Sequence, residues 1–359
     1  MTDGKKFIKD GHEHIRALIS AAVADGSRRA VVRSAYEIAE AVRIPSDFEL
    51  VLEDCHLRMA DGVYDNMFVN EHHGTELGMS EAGRDHGISI VGRGEAILDG
   101  GKYNGLSERN HSRDGLPPIW KNNLILLTNA EDIRISGIAC HNQRWWAICF
   151  IACARGYLSD IDFRSSDIGI DSEGREYHGL KRAKYDEVLV KNSDGIDLRA
   201  GCHDFIIENI TGFTEDDTVA LTGLAGTLEL ALMPRWAAPD IHHVTIKNVR
   251  SAAFCTNVRL LNQGDVSLHD ITIDGVYDTS DTLPYLDHGL YTVRIGDTRM
   301  YGTRHATADE TYNITVKNVR GGGDYVISLA GEIGNLVLEN IEAMGDTELM
   351  LDNRVGKSS

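Results

Sequence analysis

The chain has 359 residues, 42% hydrophobic and 25% charged, a balance that supports a packed core rather than disorder. Its net charge of −19 excludes a broadly basic surface, and with it nucleic acid or an anionic membrane as the main partner. No apolar run approaches the roughly 18 residues of a membrane-spanning helix. The first ten residues carry three lysines and no apolar core after them, so no secretory leader is legible and a cytoplasmic location is expected. Six cysteines (Cys55, Cys140, Cys149, Cys153, Cys202 and Cys255) form no CxxC pair and no metal-ligand spacing. They read as buried thiols of a reducing compartment.

The first predicted element is a helix over about 11–25, where Ile15, Leu18, Ile19, Ala22 and Val23 recur at helical spacing before Gly26. Polar insertions follow at 61–87, with His72, His73, Glu76, Glu81, Asp85 and His86, and at 103–121. Their ligand-type residues have no regular spacing, so no metal and no cofactor is assigned. Long insertions on one face of a repeat protein commonly wall a groove.

From there a phrase repeats: a polar residue or two, alternating β-branched and aliphatic residues, then Asn, Asp or Gly. It begins near Asp132, Tyr157, Asp204, His243, Ser267, Asn313 and Asn335. Ile133 to Leu158 is 25 residues, Val244 to Leu268 is 24 and Ile314 to Leu336 is 22. The 48 residues from Leu158 to Ile206 read as two coils, with Val188 and Leu189 in the missing turn; the 46 from Leu268 to Ile314 read as a coil carrying an insertion. A period near 23 with short strands predicts an all-β, right-handed parallel β-helix running through 1–359 as a single domain. The helix at the start would cap the open end of its core.

The informative stretch is Asn192-Ser193-Asp194-Gly195-Ile196-Asp197, followed by Glu215-Asp216-Asp217. Asp194 lies 22 residues before Asp216 and 23 before Asp217, one coil, so the three carboxylates are expected on one face of adjacent coils, about 4.8 Å apart. Carboxylates that close cannot all ionise cheaply, and a protonated acid beside a carboxylate is what glycosidic cleavage needs. A ladder of turn residues is the other reading for aspartates at this spacing. Asn192, Asn209, Asn248, Asn318 and Asn340 are expected to be such turn residues.

The paired motif resembles the polygalacturonase-type (family 28) glycoside hydrolases of the pectin-lyase-like superfamily, whose signature is Asn-Thr-Asp-Gly followed one coil on by Gly-Asp-Asp. The resemblance extends loosely over about a third of the chain, from the Gly92–Gly100 turn to Leu221. It implies a carbohydrate substrate and an inverting displacement, with Asp216 as general acid and Asp194 and Asp217 holding the water. Two departures stand out. Phe254-Cys255-Thr256-Asn257 occupies the place of the family's Gly-His-Gly. Arg294-Ile295-Gly296, preceded by His288-Gly289, or Arg259-Leu260-Leu261, occupies that of its Arg-Ile-Lys. A substrate other than polygalacturonate is therefore expected, with Arg259, Asn257, His288, Arg294, Trp236 and Arg199 as candidate contacts. A polysaccharide lyase on the same scaffold and a non-catalytic carbohydrate-binding protein are the alternatives, and a homo-oligomer stays open.

Overall fold

The computed structural model describes residues 6–101, 120–143, 146–165, 168–171, 176–178, 188–189, 193–283, 289–297 and 304–355. The chain winds as a right-handed parallel β-helix. Among the described residues, each coil contributes one main strand to a first sheet, which also carries the short pieces Asp85–His86 and Ala139–His141, and one short strand to a ten-stranded sheet, and successive coils pair in parallel.

Alternation explains the core. In the long strand His203–Thr214, Phe205, Ile207 and Ile210 point inward and stack on Leu158 and Ile161 of one neighbour and Val244, Ile246 and Val249 of the other. Each long strand also bends twice, at residues in the left-handed backbone region. One bend is made by Asp204, His243, Asp270, Asn313 and Asn335, the other by Asp160, Asn209, Asn248, Asn318 and Asn340, all with φ between 50° and 59°. Asn and Asp tolerate that region because their short polar side chains bond locally. Here they bond between coils: Asn248 donates to Asn209 Oδ1 at 2.8 Å, and Asn340 to Asn318 Oδ1 at 2.8 Å. The predicted turn ladder is thus real for Asn209, Asn248, Asn318 and Asn340; Asn192 lies outside the described residues.

The helix α1, Gly11–Ala24, buries Ile15, Ile19 and Ala22 against the first coil, whereas Val23 faces solvent. The predicted filling of the 158–206 interval is corrected. Strand Ala154–Arg164 pairs directly with His203–Thr214, so this interval is one coil with a large insertion. Val188–Leu189 belongs instead to a small antiparallel sheet with Ile168–Asp171 and Glu176–His178. The strand-like composition of 187–190 was genuine; its partner was misjudged. The 268–314 interval is a single coil with an insertion, since Ile271 pairs with Ile314. Most of the second predicted insertion, 103–121, lies outside the described residues. Five cysteines are buried and Cys255 is half-buried, none in a disulfide among the described residues. No helix among the described residues is long and apolar enough to cross a membrane.

Candidate active site

The short strands Ile196–Leu198 and Val219–Gly223 are neighbours, with Asp197 beside Ala220. The turns that lead into them stack in the same register. Gly195 N donates to Asp217 O at 2.9 Å, and Asp217 N donates to Asp194 Oδ1 at 3.3 Å. A coil's worth of sequence therefore carries Asp194 onto the Asp216-Asp217 pair. One layer over, Ser193 Oγ donates to Glu215 Oε2 at 2.8 Å.

Exposure separates the carboxylates. Asp194 and Asp217 are 6% and 3% exposed, while Asp216 is half-buried. Burial, reinforced by Asp197, Asp216 and Asp217, pushes the Asp194 carboxyl well above the usual range. Burial also raises Asp217, against the opposing pull of Arg259. Asp197 is fully buried on the outward face of its strand, and burial lifts it to about 6 although Arg199 pulls it down. Its Oδ1 accepts from Arg199 at 3.1 Å, but its Oδ2 meets no N–H or O–H donor among the described residues. The Asp194 carboxyl lies against it, so a proton on Asp194 supplies the missing donor. The two titrate as a pair.

The outward positions of the short sheet run in register from Val69 through Leu126, Cys149, Asp197, Ala220, Arg259 and Arg294 to Ser328. Arg259 bridges Asp217 at 3.5 Å and Asp297 at 3.2 Å, and Arg294 reaches the same Asp297 oxygen at 3.4 Å. The basic pair is thus already matched by carboxylates. Cys255 sits against Asp216, and burial together with that carboxylate drives its thiol well above the ordinary range, so it stays protonated.

No family model matches the sequence, and no curated protein matches it. Among solved structures the chain is similar to the endo-xylogalacturonan hydrolase of Aspergillus tubingensis, with TM-score 0.56, 13% identity and coverage of 98% of this chain and 94% of that one. It is similar to an exopolygalacturonase of Thermotoga maritima, with TM-score 0.53, 12% identity and coverage of 99% and 90%. It is similar also to the tailspike protein of E. coli bacteriophage HK620 solved with a pentasaccharide, with TM-score 0.56, 11% identity and coverage of 96% of this chain and 61% of that one. These likenesses show the fold, a parallel β-helix.

Within that fold the departure at Arg294-Ile295-Gly296 has a physical cause. Gly296, third in the Arg294-Ile295-Gly296 triplet, has φ 80°, and a Cβ there would lie 1.9 Å from the Ala330 carbonyl oxygen. No lysine fits that backbone. The carboxylate of the next residue, Asp297, fills the space with its two arginine contacts. At the other departure, a thiol stands where the family has an imidazole.

Two candidate contacts are buried in the coil. Asn257 is buried and donates to Ser251 O at 2.6 Å and Ser251 Oγ at 3.0 Å, which makes it a strut of the coil. Arg199 is buried too, held by Asp197 and by Glu229 at 3.3 Å, with its guanidinium 4.0 Å from the centroid of the Trp146 ring. It braces the site rather than facing the opening. Trp236 is 41% exposed and lies under Arg84, 5.3 Å from it. His288 lies outside the described residues. Asp297 and Glu229 went unnoticed in the sequence because both sit where a coil carries extra residues and the repeat gives no register.

In the first insertion Glu71, His72 and Asp85 bring ligand-type atoms within 4.8 Å of one another. Asp85 already accepts from Asn70 at 2.6 Å, the His72 backbone at 2.9 Å and Ser46 at 3.0 Å. Its role is to anchor the loop.

Proposed function

We propose that this protein is a glycoside hydrolase that cleaves a glycosidic bond by carboxylate acid–base chemistry. The observation that carries this reading is the stacking of Asp194 against Asp217, with half-buried Asp216 at the mouth. A cluster whose buried members hold at least one proton near neutral pH contains an acid and a base at once. Asp216, the half-buried member, protonates the leaving oxygen. Asp217, steadied by Arg259, takes the proton from the attacking water, which Asp194 helps to orient, and the anomeric centre inverts. The fold shared with a xylogalacturonan hydrolase and an exopolygalacturonase supports a carbohydrate substrate.

The charge-matched Arg259, Arg294 and Asp297, and the lysine-free backbone at Gly296, favour a neutral sugar at the cleavage site over a uronate. A lyase mechanism finds less support, because Arg199 is locked between Asp197 and Glu229 and cannot act as a base. The test is a panel of uronate-containing and neutral polysaccharides, with reducing ends and the ultraviolet absorbance of unsaturated uronates read together. New reducing ends without absorbance, lost in Asp216→Asn, are expected. Absorbance, or full activity in that variant, would refute the assignment.

A further inference from the structure

The geometry points to action at the end of a glycan chain, because the outward face of the short sheet is closed beside Asp197 on its N-terminal side. This inference rests on the hydrolase reading and adds the mode of attack. In register with Asp197, the preceding outward residues Cys149, Leu126 and Val69 are all buried. What covers them is Trp146, Trp120 and Leu232. The next outward position, Ile151, is likewise covered by Met233 with Leu232 and Trp120. Coils are about 4.8 Å apart, so the path ends within one coil of Asp197.

The wall is built by a segment that folds backwards. Residues 224–239 follow the strand Val219–Gly223, and Leu232, Met233 and Ala237 among them pack over the coils that precede it. Three contacts hold them there. Glu229 pairs with Arg199, which stacks on Trp146. Gly201 N donates to Pro239 O at 3.0 Å. Trp236 packs under Arg84 of the first insertion. A buried ion pair and aromatic stacking make this a fixed wall rather than a loose loop. On the other side of Asp197 the outward Ala220 and Arg259 are buried as well, but Asp216, Cys255 and Arg294 beside them are only half-buried and keep contact with solvent. A glycan can therefore approach with its end against Trp146 and its remaining sugars leading toward the C-terminal coils; an internal segment would have to pass through the wall.

The experiment uses the full chain carrying Asp216→Asn. Polygalacturonate, xylogalacturonan and a neutral galactan, each in fragments of increasing length, are titrated calorimetrically, and the products that the unaltered protein makes from the same fragments are sized. A single bound copy per chain at every length is expected, with one small product from the first turnovers. Several copies along a long chain, or an early mixture of medium-sized products, would overturn chain-end action. Adding Trp120→Ala and Leu232→Ala should change the stoichiometry from one copy to several on long chains; Leu232→Ala alone is the milder variant if the pair misfolds. An unchanged stoichiometry in a folded variant would overturn the wall's role. End-binding without cleavage would sink the hydrolase reading and leave this inference standing, and no binding to any of the polymers would sink both.

Discussion

Arg199 Nη1 lies 3.1 Å from Asp197 Oδ1, and the same guanidinium lies 4.0 Å from the centroid of the Trp146 ring. Two residues apart in sequence, these groups fix the charge of the site from beneath. Arg199 is the cation that opposes burial at this carboxyl, which settles at about 6. Removing it strands Asp197 and Glu229 without a partner, which costs about 3–5 kcal/mol for a buried pair. Arg199→Met is therefore expected to lower the denaturation midpoint sharply. In any folded fraction, the acid limb of the pH–rate profile should move upward. Arg199→Lys should fall between the two, since an ammonium keeps the charge and loses the planar stacking. Wild-type stability in the methionine variant would show that the contact is not a support.

Asp194 gives a prediction of opposite sign. Its folded-state carboxyl is raised, so the folded protein holds a proton that the unfolded chain releases once pH exceeds about 4. Stability attached to this group is full in acid and declines as pH climbs toward the raised value. Asp194→Asn removes the penalty while keeping the shape and an amide donor toward Asp197. The variant should be inactive yet more stable than the wild type at pH 7. Thermal melts at pH 4 and pH 7 measure this: the gain should appear at pH 7 and shrink at pH 4. A variant less stable than the wild type at pH 7 would contradict it.

The β-helix was legible because its strands alternate and its bends are made by residues such as Asn248 and Asn318 that only a left-handed position favours. The spacing of Asp194 to Asp217 was legible for the same reason, since register along a solenoid is counted in coils. Where coils carry insertions, counting fails. Val188 and Leu189 have strand composition but pair in a small side sheet, and Glu229 reaches Arg199 from thirty residues away through a backward fold. Arg199 and Asn257 misled for another reason: a polar residue beside a catalytic motif reads the same whether it touches substrate or holds up the wall.

Gly296 is a position where the family's lysine cannot be restored. At φ 80° a side chain is strained by about 1–3 kcal/mol before the contact with Ala330 O is counted. Gly296→Lys should thus destabilise the protein by more than about 2 kcal/mol and should not bring activity on polygalacturonate. Denaturant titration and reducing-end assays check both. Gain of polygalacturonate hydrolysis in a stable variant would mean that the backbone there adapts.

Acid should loosen the first insertion before the helix itself unfolds. Burial, helped by Arg43 and Lys121, lowers His73 to about 4, and its Nδ1 lies 3.0 Å from Thr128 Oγ1 on the short sheet. The unfolded chain takes up this proton near pH 6.5, whereas the folded one resists to about 4. Through that window the unfolded state binds more protons, so stability falls as pH falls, by at most about 3 kcal/mol. His73→Asn keeps a polar group beside Thr128 and cannot titrate. Its melting temperature should therefore depend less on pH between 4 and 6.5 than that of the wild type. The hydrogen-exchange protection of 71–86 should likewise be lost at lower pH in the wild type and persist in the variant. Parallel pH curves for the two proteins would place the acid sensitivity elsewhere, first of all on His242, which burial and the neighbouring His203, His269 and His243 also hold low.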